Sequence, residues 1–424
     1  MHDKLLNNVK TFALAGGSGT RLMPLTDMYA KPAVPFLGVY VIFDFVMWSL
    51  YYSGLRNIGV LVQKNAVSLT EHIAAVFPRR PGGGVYLQTL CPEGRCGRHV
   101  FSGTADAVWQ HIHHAAGYDT VMIVSGDHIY KADFSVFERF HREHDADLSV
   151  MAITVPVEDA KAFGVIDVDA DNKIVDFVEK PAHPKEVHGN PGQAFCSMGV
   201  YCFKKKVLKQ YLDQDALDQD SSHDFGRDIV PKMIADGKKV YAFPFSETKI
   251  DGELPYWRDV GSIKAYWEEH QNFCSDNPLL NLYSDGFRLP PRDYMAAPSK
   301  FGSGTKNSSS ILNSLVPSGC IIVDSYLLYT TLGVRVTVRE GCKVVMSIIP
   351  SQVIIDHHCS LHKTIIVSDP YLRSHQRVLL PANMEIGFDH DLDRKRGFTV
   401  TEEGITVVPF TWFKRNKLIV SGKH

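Results

Sequence analysis

The sequence predicts an α/β protein, a doubly wound and mostly parallel sheet followed by a parallel β-helix, and three observations carry that prediction. The chain has 424 residues, more than one hydrophobic core usually serves, which favours two domains or one large domain with an appendage. From Val9 to about His270, short β-rich apolar runs alternate with helical patterns, the signature of crossover units on a parallel sheet. In the C-terminal part, aliphatic residues recur every six positions, the step of a triangular solenoid.

The runs Val9–Ala15, Ile58–Gln63, Val85–Leu90, Thr120–Ser125 and Leu148–Val155 read as strands. Between them, Thr104–Ala116 and Phe134–His144 have helical spacing, with Thr104 or Asp106 available near the first helix start. From Ser275 to Ser310 the chain changes character. Pro278, Pro290, Pro291, Pro298 and the run GSGTKNSSS show no sustained period and read as a connector. The expected division is therefore 1–275, a linker at 276–310, and 311–424. In the last part Val338 and Val344, then after a one-residue slip Ile355, Leu361 and Val367, keep the six-residue step. Cys342, Ile348, Cys359 and Ile365 follow it four residues on. A small β-sandwich is the competing reading, disfavoured because strict alternation breaks down. Two or three coils are few for a free-standing solenoid, so this part is expected to pack on the first domain or on a partner subunit.

With 45 Lys+Arg against 47 Asp+Glu the net charge is −2, which gives no overall positive field for nucleic acid or an anionic membrane. No run of about 18 apolar residues appears, so no membrane span is expected. Met1–Lys10 lacks the apolar stretch of a secretory signal. The eight cysteines show no C-x-x-C pairing, which fits reduced thiols in a cytoplasm. Cys91 and Cys96 read as free thiols, and Arg79 with Arg80 as a solvent-facing basic loop. His111, His113 and His114 crowd one helical stretch, but only His111 and His114 share a face, at the i, i+3 step, and no carboxylate completes an obvious metal set, so they read as a solvated face.

The most informative segment is Leu14-Ala15-Gly16-Gly17-Ser18-Gly19-Thr20-Arg21-Leu22, directly after the first strand. Three glycines in four residues let backbone N–H groups approach a polyphosphate at the sheet's carboxyl edge. The segment has neither the G-x-G-x-x-G spacing of dinucleotide folds nor the G-K-[ST] ending of a P-loop, which argues against dehydrogenase and kinase chemistry. Arg21 supplies a planar cation suited to phosphate, and Lys31 is pinned by Pro32. Asp127 follows the strand Thr120–Val124 and stands at the same edge, while Asp259 lies in YWRDVG. Each aspartate is a candidate Mg²⁺ ligand and equally a candidate turn or cap residue. Lys180 before Pro181 is a further cation, suited to the monophosphate of a second substrate, and Ser197, Asp224 and Trp257 offer groups to a sugar.

LAGGSGTRL, AKPAV, GTADAV, GDHIYKADF, AFGVI, FVEKPA, SMGVY, SSHDFGRDIVP and PYWRDVG occur in this order. The chain so marked resembles the bacterial glucose-1-phosphate adenylyltransferase (ADP-glucose pyrophosphorylase) family over essentially its whole length. GG-x-GTRL and VEKP are common to nucleotidyltransferases of many sugars, whereas SSHDFG and YWRDVG are particular to this branch. The resemblance implies a Rossmann-like nucleotidyltransferase domain followed by a left-handed β-helix, in a homotetramer serving glycogen synthesis. It implies that Ala15, Gly16, Gly17, Gly19, Thr20, Arg21 and Gly103 bind ATP, with Arg21, Lys31 and Asp127 catalytic. It implies that Gly164, Glu179, Lys180, Ser197, Asp224 and Trp257 bind glucose 1-phosphate, and that Asp127 and Asp259 hold Mg²⁺.

The chain departs from the family in places. Where activated members carry Lys-Arg before AKP it has Met28 and Tyr29, and where an arginine precedes the I-x-D-F element it has Val41. Weak or absent activation by fructose 1,6-bisphosphate is the expectation. Val100-Phe101-Ser102 stands where an aromatic-Tyr-Arg run is usual, and Asp324 replaces a corner glycine. Two alternatives compete: a nucleotidyltransferase making UDP-, dTDP- or GDP-sugars, and a non-catalytic regulatory subunit.

Overall fold

The computed structural model describes residues 6–17, 19–63, 66–77, 86–93, 99–187, 189–284, 289, 296–304 and 308–421. Ser18, Arg79, Arg80, Val85, Cys96, Pro290 and Pro291 lie outside them. The chain divides into two compact units: Met1–Gly17, Phe45–Ala66 and Phe77–Trp257 form one, and Ser18–Asp44, Val67–Val76 and Arg258–His424 the other.

The first unit is built on strands β1 (Val9–Leu14), β2 (Asn57–Leu61), β3 (Tyr86–Leu90) and β4 (Thr120–Ser125), all mutually parallel in the order β3-β2-β1-β4. Both β1 and β4 are buried on both faces; β4 is a continuous apolar run, VMIV, as a crossover sheet requires, while β1 also buries Lys10 and Thr11. Antiparallel strands extend the sheet beyond β4: β5 (Leu148–Pro156), β6 (Gly164–Val168), β7 (Ile174–Glu179) and the long β8 (Gln193–Lys204), which pairs with β4, β5 and β6. A final strand, β9 (Val240–Pro244), lies parallel to β5. The sheet is parallel across β3-β2-β1-β4, the Rossmann-like half the sequence predicts, and mixed beyond β4. Phe12, Val121, Ile123, Leu148, Val150 and Phe203 are fully buried in its core.

The register fixes where chemistry can occur. Leu14 sits beside Leu61 on one side and Ser125 on the other. The segments leaving β1, β2 and β4 therefore emerge together at one carboxyl edge, and Ala15 N–H donates to Leu61 O at 2.8 Å across it. The first helix over this edge, α1 (Thr104–His111), continues into a 3-10 turn at Ile112–Ala115. The predicted Thr104–Ala116 is thus one helical stretch that tightens at its end. The helix α2 (Phe134–Glu143) is capped by Asp133, whose carboxylate accepts from Ser135 N–H at 2.9 Å.

The second unit carries three mostly parallel sheets of short strands, the faces of a left-handed β-helix, two of them ending on an antiparallel strand. One coil runs through Thr337–Val338, Lys343–Val345 and Ile348–Ile349, the next through Val353–Ile355, Ser360–His362 and Thr364–Ile366. Val338 stacks on Ile355, and Val344 on Leu361. The ladder positions thus advance 6, 5 and then 6 residues, Val338 to Val344 to Ile349 to Ile355, which explains the slip seen in the sequence. On the third face Ile366, paired with Val408, occupies the rung that the strict six-step count gave to Val367. One face holds five rungs from Ser310–Leu312 to Glu385–Ile386, more than the two or three coils expected. Strand Lys300–Gly302 joins another face from within the segment read as connector.

Asp324, Tyr329, Arg335, Met346, Gln352, His358 and Lys363 turn corners with φ between 40° and 64°, where glycine was expected. The tight, buried ladders hold these side chains in the left-handed region against a cost of about 1–2 kcal/mol each. Among the described residues the cysteines are free thiols, most of them buried. No helix there is long and apolar enough to cross a membrane.

Candidate active site

In the first unit, a cavity of about 330 Å³ opens at the carboxyl edge of β1, β2 and β4. Gly16 and Gly17 form one wall, Gln63 and Phe101 another, and Gly103, Thr104, Ser125, Asp127 and Asp224 close it. The side of Gly17 is open, with nothing within 4 Å of where a Cβ would be, so its backbone is accessible to a ligand. Ala15 is buried behind this wall at the edge of β1.

Gly103 is set by packing as much as by any ligand. A Cβ there would fall 2.2 Å from His223 O, and Ala105 N–H donates to that same carbonyl at 2.8 Å. Neither sequence-stated cap at the start of α1 acts as one, since the cap position is Gly103 itself. Thr104 Oγ donates instead to Asp224 Oδ2 at 2.9 Å, and Asp106 accepts from Ser102 N–H at 2.9 Å. Asp224 also accepts from Gly226 and Arg227 N–H at 2.9 and 3.2 Å, capping the turn that follows. Its carboxylate is thereby fixed at the cavity wall.

Asp127 accepts from the Ser125 hydroxyl through Oδ1. His128 Nε2 stands 3.7 Å from the same oxygen. The His128 ring is oriented from behind: the Trp257 indole N–H donates to Nδ1 at 3.3 Å, with Tyr130 Oη 2.9 Å from that nitrogen. An indole can only donate, so the neutral ring carries its proton on Nε2, toward Asp127. Trp257 is mostly covered by His128 and by Phe163, whose ring centroid is 5.7 Å away. Sequence reasoning missed Gln63 and His128. Gln63 Oε1 accepts from Phe101 N–H at 2.6 Å and so places the aromatic wall. The only signal for His128 was its position next to Asp127.

A second group gathers around β7. Glu179 pairs with Lys180, Oε1 to Nζ 3.0 Å, and Lys180 turns with φ 49°. Gly164 on β6 faces Glu179 in register. A Cβ there would come within 2.4 Å of the Phe177 ring and 2.8 Å of Glu179 Oε2, which accounts for the glycine. Ser197 is buried at an irregularity of β8 and accepts from Gly199 N–H at 3.2 Å.

In the second unit, the rest of the glycine segment forms a 3-10 turn at Thr20–Leu22 behind Gly19, whose φ is +62°. Thr26 Oγ donates to Gly19 O at 2.7 Å and locks that turn. Lys31, only 7 % exposed, reaches Asp259 Oδ1 at 3.0 Å, and the exposed Arg21 lies 3.8 Å from Oδ2. One carboxylate thus draws two cations to it. The buried Lys31–Asp259 pair is the stronger of the two, because little solvent screens it.

The sequence matches the family profile described as Nucleotidyl transferase over residues 10–276, and that of GlmU-like, C-terminal hexapeptide over 297–408. The chain is similar to the glucose-1-phosphate adenylyltransferase of Nitrosomonas europaea, 38% identical over 95% of this chain and 93% of that protein. The protein of that name from Dechloromonas aromatica is 38% identical over 95% and 91% of the two chains. That from Rhodopirellula baltica is 35% identical over 100% and 94%.

Proposed function

The chain belongs to the glucose-1-phosphate adenylyltransferase family, and from that premise we propose that it joins glucose 1-phosphate to the AMP part of ATP, making ADP-glucose and pyrophosphate. The observation that carries this reading is the carboxyl-edge cavity, where an open glycine backbone, an aromatic ring and Asp127 line one space. A phosphate oxygen of the sugar phosphate attacks the α-phosphorus in line, and pyrophosphate leaves. No covalent intermediate is required, so positioning and charge neutralisation supply the rate.

In this reading Gly16, Gly17, Gly19, Thr20 and Gly103 cradle ATP, and Arg21 with Lys31 neutralises its phosphates. Lys180 takes the sugar phosphate, while Glu179, Ser197, Asp224 and Trp257 address the sugar beside Gly164. Asp127 and Asp259 are the carboxylates assigned to Mg²⁺. As partly exposed hard-oxygen donors, 25% and 20% accessible, they would suit that ion, which takes oxygen ligands and gives up its waters reluctantly. When bound, it supplies Lewis-acid stabilisation of the charge developing on the phosphates. Residues 1–275 are the catalytic part, 276–310 the connector and 311–424 the β-helix, and the working form is a cytoplasmic homotetramer.

The lost activator cations enter here too. Tyr29 and Val41 line a cavity of about 490 Å³ together with His72, Arg335 and Asp369. Among the described residues lining it, Arg335 is the one guanidinium and Asp369 adds a carboxylate, which gives little field for a bisphosphate and supports weak activation by fructose 1,6-bisphosphate.

Pyrophosphate release measured with glucose 1-phosphate and each of ATP, UTP, dTTP and GTP tests the assignment. Turnover is expected with ATP foremost. Preference for another base would move the chain to a different sugar nucleotide. No turnover, with a gain in a partner's activity, would favour the regulatory subunit, against which the retention of Arg21, Lys31, Asp127, Lys180 and Asp259 already counts.

A further inference from the structure

Three histidines that read as a solvated face in the sequence acquire a carboxylate in the structure. Glu93, twenty residues before His113 in the chain, leaves the end of β3 and folds back over the 3-10 turn that follows α1. Its backbone N–H donates to Gln110 Oε1 at 3.0 Å, which fixes the residue's position. Its Oε1 lies 3.3 Å from His111 Nδ1 and 3.6 Å from His113 Nε2. One ligand atom from each of Glu93, His113 and His114 falls within 4.8 Å of the others.

The buried member of the cluster shows what the group lacks. His111 is 1% exposed, and its Nε2 donates to Cys91 O at 2.8 Å, since a carbonyl can only accept. That bond fixes the ring as a backbone carbonyl commonly fixes a metal-ligating histidine. Its Nδ1 makes no hydrogen bond among the described residues, although it is buried and faces the Glu93 carboxylate. In the neutral ring this puts a nitrogen lone pair opposite a carboxylate oxygen, two electron-rich atoms with no positive centre between them.

We propose that Glu93, His113 and His114 form a binding site for one divalent transition-metal ion of the zinc class, with His111 oriented toward the same carboxylate. Two imidazoles and one carboxylate are the donors such ions favour, and they leave a coordination position for water. Bonds of about 2.0–2.2 Å in a tetrahedron need donors about 3.3–3.6 Å apart. The exposed side chains of Glu93 and His113 can make that closure by rotating. Imidazole selects against Mg²⁺, so the site does not draw on the ion assigned to the phosphates. A bound ion would clip the segment leaving β3 to the end of α1. Through the His111 ring, edge-on to Phe101 at 5.8 Å, that clip adjoins the aromatic wall of the cavity.

The full chain, stripped with EDTA and re-equilibrated in excess Mg²⁺ with micromolar Zn²⁺, is gel-filtered and its zinc measured per chain. One equivalent is expected in the wild type. Less than a tenth of that is expected in the double variant His113→Ala/His114→Ala, and at least a tenfold weaker zinc affinity in Glu93→Gln. Because His113 and Glu93 are exposed, the variants should keep the wild-type melting temperature and pyrophosphate release in Mg²⁺ alone, so lost zinc cannot be lost folding. Absence of zinc from the wild type, or equal zinc in wild type and double variant, would overturn the proposal. Neither result touches the transferase reading, which is measured without zinc.

Discussion

Asp127 leaves β4 with one carboxylate oxygen engaged by Ser125 and approached by His128, and this arrangement aims it into the cavity at the strand ends. Replacement by asparagine keeps the shape and removes the charge. In Asp127→Asn, kcat is expected to fall at least a hundredfold, about 3 kcal/mol of transition-state stabilisation, at saturating Mg²⁺. Unchanged turnover would take Asp127 out of the site. Lys180 is held beside Glu179 on an exposed turn, so Lys180→Ala is expected to raise KM for glucose 1-phosphate at least tenfold with little change for ATP. Equal effects on both substrates would refute its role. The glycine segment and Asp127 were legible as candidates because each follows a strand in the sequence, and Asp259 only through its place in YWRDVG. Gln63 and His128 were not, because their parts depend on partners brought from elsewhere in the chain: Phe101 for one, Trp257 for the other. Asp224 shows a third case. Its capping bonds to Gly226 and Arg227 are local, while its bond to Thr104 is visible only once the fold is made.

Among the elements, the long buried strands were the most legible, since a run such as Thr120–Ser125 announces its own ends. The β-helix was legible in period and not in extent. Its strands are two or three residues long, and Lys300–Gly302 is too short and too exposed to register as a repeat by itself. Its corners were legible least of all, because side chains occupy turns where glycine was expected. Those corners make a test. His358 is exposed with φ 58°, so His358→Gly should relieve left-handed strain and stabilise by about 1 kcal/mol after the extra chain entropy is counted. Gly341 has φ 80°, and a Cβ there would lie 2.2 Å from the His358 ring, so Gly341→Ala should lower the melting temperature. Thermal melts of both variants check the pair; a destabilised His358→Gly would show that its ring contributes more by packing than its backbone loses.

At the scale of the whole molecule, stability should respond to acid through buried histidines. His270 is fully buried: Leu37 N–H donates to its Nε2 at 3.2 Å, and its Nδ1–H donates to Tyr266 O at 2.8 Å, which fixes the neutral tautomer. Burial lowers its pKa to about 4, with the Tyr266 carbonyl opposing. The folded value lies below the unfolded one, so its contribution is complete above pH 6.5 and is lost as pH falls toward 4. That loss is about 2 kcal/mol by pH 5, and His141, also lowered to about 4 by burial, adds in the same direction. Melting followed from pH 7 to 5 should show a smaller drop in His270→Gln than in wild type; equal slopes would exclude His270 as a contributor. A titration with fructose 1,6-bisphosphate should leave the rate nearly unchanged, and strong saturable activation would contradict the reading of Met28, Tyr29 and Val41. The prism has one more consequence. Its rungs advance 17 residues from Val344 to Leu361 but 25 from Leu361 to Ile386, and the ladder still closes. Extra chain is therefore accommodated outside the faces, at the edge where Tyr371 is exposed. Foreign peptide spliced there should leave the scaffold intact, whereas one residue added within a face would throw every later rung out of step.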